Sequence, residues 1–142
     1  MKSKEDLKLY CEEKLREVQP YFVEIQAIAK AFYTNADTIA DPQLRPYEHK
    51  LVGMYSFINT VYKEVHALKE NNEAIYFTNL KIKAEIDSIK FVAESASREA
   101  KEFTEDLRLT TAILEGWIES IEQLLTTCRK NLYIERNERK HG

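Results

Sequence analysis

The side chains most able to do chemistry stand apart from one another in this sequence. His49, His66 and His141 have no HExxH pattern around them, no cysteine or carboxylate at ligand spacing, and no glycine-rich turn to cradle a phosphate. Cys11 and Cys128 lie near opposite ends of the chain without a CxxC, which fits two buried structural thiols better than a disulfide framework, a zinc site or a redox pair. Carboxylate pairs such as Glu12-Glu13 and Glu105-Asp106 are scattered as on any solvated helix face. No catalytic residue, metal or cofactor is therefore expected, and an enzyme is not expected. The basic residues are more suggestive. Lys81 and Lys83 stand in the run Leu80-Lys81-Ile82-Lys83, Lys90 follows, and Arg129-Lys130 opens a basic tail. Bases in such sets contact phosphates by displacing counterions, and Tyr76 and Phe77 lie one turn earlier, where they are able to stack on unpaired bases. The plainer reading stays open beside this one: tail bases complement a helix dipole, and Tyr76 beside Ile75 suits packing.

The elements that must position these residues are helices. The 142 residues suffice for one ordinary domain, and three Gly and three Pro are too few to punctuate a sandwich, barrel or doubly wound sheet. The class expected is all-α. With 21 Lys+Arg against 24 Asp+Glu the formal charge is −3, so any basic surface must be local. Between Glu85 and Glu122 ten acids oppose four bases, whereas from Cys128 onward five bases (Arg129, Lys130, Arg136, Arg139, Lys140) oppose two acids. No secretory h-region follows Met1 and no run of about 18 apolar residues occurs, so a soluble, cytoplasmic protein with no membrane association is expected.

Cys11, Leu15, Val18, Phe22, Ile25, Ala29 and Phe32 recur at four- and three-residue steps, predicting an amphipathic helix over about Lys4 to Tyr33. Pro20 predicts a kink there, or two short helices meeting. Asn35, Asp37, Asp41-Pro42 and Pro46 mark a linker from Thr34 to Pro46, with Pro46 suited to the first position of the next helix. The division expected is residues 1–46, N-terminal helix and linker, and 47–142, a long helical hairpin with coiled-coil heptads and a basic end.

In that second region the a series runs Leu51, Ile58, Val65, Asn72, Asn79, Ile86, and the d series Met54, Val61, Leu68, Ile75, Ile82, Ile89; the phase continues through Leu114, Trp117 and Ile121. A turn is offered at Asn71-Asn72 or at Asp87-Ser88, where either residue of the latter pair serves as N-cap for a helix beginning at Ile89. Small residues after Asp87-Ser88 favour the second, although the preserved phase also suits one long parallel coiled coil. Two Asn at consecutive a positions need partner amides, which points to a homo-oligomer with a seam of Ile58, Val65, Asn72, Asn79, Ile86, Leu114, Trp117 and Ile121. A locally solvated face inside a monomer is the alternative.

The run from Glu94 to Arg139 resembles the C-terminal helix of the UvsY-type recombination mediators of bacteriophages: an acidic, alanine-containing lead-in, an apolar helix with a central aromatic, here Trp117, and a basic end from Arg129-Lys130. Leu80-Lys81-Ile82-Lys83 stands where that family has a basic motif before its hairpin turn, while Ala84-Glu85-Ile86-Asp87-Ser88 replaces the aromatic pair and glycine that follow it there. The resemblance spans roughly residues 48–140. It implies a homo-oligomer, in a bacterial host's cytoplasm if phage-encoded, that binds single-stranded DNA and helps a recombinase displace a single-strand binding protein. Lys81 and Lys83 would then carry phosphate contacts, with Lys90, Arg129 and Lys130 beside them. A coiled-coil scaffold or adaptor without nucleic-acid binding is the rival expectation.

Overall fold

Ser3 and Asp6 start the first helix by capping each other's backbone. The Asp6 N–H donates to Ser3 Oγ at 3.1 Å, and the Ser3 N–H donates to Asp6 Oδ2 at 3.3 Å. This reciprocal box satisfies two of the donors that a helix N-terminus leaves unpaired. The computed structural model describes the backbone of residues 2–35 and 41–141, and their side chains apart from 35, 41–43, 135–136 and 138–141. The elements are α1 (Lys4–Asn35), α2 (Asp41–Ile86), α3 (Ala93–Phe103) and α4 (Glu105–His141). No strand occurs among the described residues, and the fold is all-α.

Helix α1 passes through Pro20 as one element, so two short helices are not what forms. Pro20 is exposed, while Val18 and Phe22 on the buried stripe hold the turns on either side. Packing of that stripe outweighs the one backbone bond proline removes. Helix α2 begins at Asp41, five residues before Pro46, so the linker expected up to Pro46 is shorter and Pro46 lies inside the helix. The linker's Asp37 lies outside the described residues.

The chain turns where Asp87-Ser88 suggested, by a different device. Ser88 sits in the left-handed region (φ 52), the Ile89 N–H donates to Ala84 O at 2.9 Å, and the Ser88 N–H to Glu85 O at 3.3 Å. This is a Schellman stop, which satisfies carbonyls at the end of α2. The expected helix from Ile89, N-capped by Asp87 or Ser88, does not form. Residues 89–92 are not helical, and α3 starts at Ala93 behind an extended Val92 with no side-chain cap. A second break, at Thr104, had no signal in the apolar phase; its hydroxyl donates to Glu73 Oε1 at 2.8 Å, and Arg108 also pairs with Glu73.

The packing resolves into two units, each drawing on several helices. The first comprises the chain up to Leu15 with Val61–Ile113; the second comprises Arg16–Thr60 with the chain from Leu114 on. In the first, Leu7, Cys11, Val61, Val65, Ala96, Ala100 and Leu107 are buried, together with Asn72, Thr104, Thr110 and Thr111. Lys14 pairs with Glu64 at 3.2 Å, Glu73 pairs with Arg108, and Tyr76 stacks on Phe103 with ring centroids 4.7 Å apart, so α2 runs antiparallel to the stretch from α3 into α4. In the second, Val18, Phe22, Ile25, Leu44, Leu51, Ile58, Leu114 and Ile121 form the core, and Trp117 stacks nearly flat on Phe22 at 4.4 Å. Tyr21 packs on Phe57 and Glu24 pairs with Lys50 at 3.0 Å, while Glu48 pairs with Arg129 at 3.8 Å and Tyr55 donates to Glu122 at 3.5 Å, so α1, α2 and α4 run up-down-up in this unit. Each such apolar side chain contributes roughly 1.5–3 kcal/mol on burial.

The seam expected between copies is, for most of its residues, the inside of a single chain. Ile58, Val65, Leu114 and Ile121 are fully buried by the chain's own helices, and Trp117 is half-buried against Phe22. Asn72 needs no partner amide from another copy: its Nδ2 donates to Leu68 O, one turn back, at 2.8 Å. Asn79 and Ile86 lie on the exposed surface.

Candidate nucleic-acid interface at the hairpin end

Whether Lys81, Lys83 and Lys90 gather is decided by helix geometry and by where α1 stops. Residues i and i+2 on a helix lie about 200° apart, so Lys81 and Lys83 flank Ile82 on opposite sides. Both are exposed, as is Lys90 in the non-helical stretch after the turn. None of the three side chains makes an ion pair or hydrogen bond with another described residue. Each helical lysine is followed four residues later by an exposed acid, Lys81 by Glu85 and Lys83 by Asp87.

The Lys14–Glu64 pair sets the antiparallel register of α1 against α2 in this unit. With equal rise along both helices, Lys4 comes level with about residue 74, and the Ser3–Asp6 box ends α1 there. Beyond that level α2 has α3 beside it and no α1. The stripe that is buried as far as Asn72 then emerges: Ile75 is 36% exposed, Ile82 48% and Ile86 76%, joined by Ile89 at 64% and Val92 at 51%. The two aromatics proposed from sequence as stacking platforms are taken up internally. Tyr76 lies on Phe103, and Phe77 meets Phe91 edge-on at 5.4 Å. Sequence reasoning marked the lysines and placed Ile75, Ile82, Ile86 and Ile89 in the heptad stripe, but it did not foresee their exposure; the signal for that was the Ser3-x-x-Asp6 start of α1, which fixes how far the third helix reaches.

Arg129 and Lys130 belong to the other unit and form a separate basic place. Both are exposed; Arg129 Nε lies 3.8 Å from Glu48, beside Arg45, His49 and the exposed ring of Tyr133. The side chains of Arg136, Arg139 and Lys140 lie outside the described residues. Beneath Arg129, Cys128 is fully buried and its thiol donates to Leu44 O at 3.3 Å. Burial, aided by the Glu48 charge and opposed by Arg129, pushes this thiol up to about 11. Burial also raises Cys11, against a hydrogen bond with Thr110 that lowers it. His66 stacks on Tyr62 and lies 3.8 Å from Glu70 one turn on, an ordinary helix-surface pair. Among the described residues no group of three or more His, Cys, Asp or Glu could hold a metal ion, and no helix is long and apolar enough to cross a membrane. Compared with known proteins, the chain matches no family model, no curated protein and no solved structure.

Proposed function

We propose that this protein is a non-catalytic binder of single-stranded DNA that acts as several copies together, in the manner of the recombination mediators its second half resembles. The observation that carries this reading is the hairpin end, where Lys81, Lys83 and Lys90 are all exposed and free of ion-pair partners among the described residues. Contacts this few are weak singly and gain strength when copies repeat them along one strand, without reading sequence. In this reading Lys81 and Lys83 touch phosphate, Arg129 and Lys130 add a second basic place, and a recombinase and a single-strand binding protein are the protein partners.

A second reading, a helical scaffold or adaptor with no nucleic-acid role, is favoured by the internal use of Tyr76 and Phe77 and by the exposed isoleucines at the same end. Fluorescence anisotropy of a labelled single strand and its duplex across a salt series separates the two. The mediator reading expects tighter binding to the single strand, a log–log salt slope of about −0.7 per phosphate contact, and at least a tenfold loss for Lys81→Ala with Lys83→Ala. Absence of binding at low salt leaves the scaffold. Binding that survives the double substitution moves the contact to Arg129 and Lys130.

A further inference from the structure

We infer that the hairpin end takes up a basic amphipathic helix of another protein as its third helix, seated where α1 would lie if it continued past Ser3. The floor of this seat is the apolar row. Ile75, Asn79, Ile82 and Ile86 hold the same a and d positions of α2 as Val61, Val65 and Asn72, which are buried earlier in the same unit. The seat runs from the level of about residue 74, where α1 starts, to the turn after Ile86. That is some three turns of helix, about 18 Å at 1.5 Å per residue.

The edges of the seat single out its occupant, and both can be read from how α1 is held. Glu64 of α2 pairs with Lys14 of α1 at 3.2 Å, and Glu85 lies three heptads beyond Glu64 on the same edge of α2. On the opposite wall, Cys11 of α1 shares a hydrogen bond with Thr110 and its thiol feels the Asp106 charge, so that side of α4 faces α1. Thr104 and Arg108, which reach Glu73, mark the side turned away. The Thr104 N–H bonds to Ala100 O and the Arg108 N–H to Thr104 O, so the helical phase carries back across the break into α3. Glu99 lies one heptad before Asp106, and Glu102 lies one turn before it. Glu85, Glu99 and Glu102 are exposed and make no ion pair with another described residue. Lys81 and Arg98, a turn before Glu85 and Glu102, lie on the outward side of each edge, away from the row. The seat thus repeats the means by which α1 is held, an apolar stripe between acids. A helix whose own apolar stripe is flanked by Lys or Arg matches the floor and both edges.

This inference does not rest on the DNA reading, and a peptide rather than DNA tests it. The probe is a labelled amphipathic peptide of about 15 residues, with Leu at three- and four-residue spacing and Lys on both flanks; its twin carries Glu in place of Lys. By fluorescence anisotropy the natural chain should bind the Lys peptide at least tenfold more tightly than the twin. Glu85→Lys with Glu99→Lys should reverse that preference, whereas the same charge change at the exposed pair Glu12 and Glu13 should leave it. Ile82→Ser with Ile86→Ser should weaken the Lys peptide at least tenfold, with helical circular dichroism unchanged in every variant. No binding of either peptide overturns the inference, as does a preference that survives the Glu85 and Glu99 reversal or an affinity indifferent to the isoleucines. A natural chain that sizes as a dimer, and that the isoleucine variant splits, also overturns it, since a second copy then fills the seat.

Discussion

At the scale of single residues, Cys128 shows burial acting on a titration. Its thiol has no solvent contact, donates to Leu44 O, and keeps its proton to about pH 11 against an ordinary value of 9.0. The folded value is raised, so the stabilisation is fully present below pH 9, where both states hold the proton. It is lost as pH rises from 9 to 11, because the unfolded chain then releases the proton first. The size is on the order of 3 kcal/mol, since the rise spans two tenfold changes in proton affinity at about 1.4 kcal/mol each. In urea unfolding, the stability of the natural chain should fall more steeply between pH 9 and 11 than that of Cys128→Ala, which has no thiol to titrate. Parallel slopes would assign the fall to other groups. Asn72 makes the companion point about polar residues in an apolar stripe. An amide at a seam position suggested a partner chain, yet one bond to its own helix, at 2.8 Å, was enough to seat it.

At the scale of elements, the turn after α2 rests on a residue ill suited to it. Ser88 holds φ 52, a conformation in which a Cβ crowds the following carbonyl and glycine does not. Ser88→Gly should therefore raise stability by about 1 kcal/mol, and Ser88→Val should lower it by at least as much, read as shifts in the urea midpoint. The location of this turn was legible from Asp87-Ser88, but its role was not. Turn-forming residues favour both helix stops and helix starts, and the intact apolar phase through Ile89 concealed the non-helical stretch 89–92. The stripe of α1 from Cys11 to Phe32 was legible because seven apolar positions shared one face. Pro20 was over-weighted there because a local rule says nothing of the core on the far side of the helix. The heptads marked which residues of α2 would be covered as far as Asn72, without saying whose helix would cover them. At the hairpin end, the exposure of the lysines could be read directly. Their opposed flanks and the uncovered isoleucines required a register that only the Lys14–Glu64 pair supplies.

At the scale of the whole molecule, each unit is assembled from segments far apart in sequence, α1 and α4 closing on α2 in both. Order along α2 is therefore not uniform. Val61 and Val65 are buried with helices around them, whereas Ile82 and Ile86, in the same helix and the same phase, are half exposed or more. The box that ends α1 at Ser3 thus sets a boundary in local opening. Amides from about residue 77 to the turn are protected by one neighbouring helix alone, so they should exchange with solvent deuterium through small openings that leave the rest of α2 intact. Hydrogen exchange by mass spectrometry should find peptides spanning 77–92 fast and those spanning 58–72 slow. A uniform rate along α2 would mean that something else shields the end. The stop of the first helix thereby becomes a statement about time: the segment whose lysines and isoleucines are exposed is the one expected to open most often.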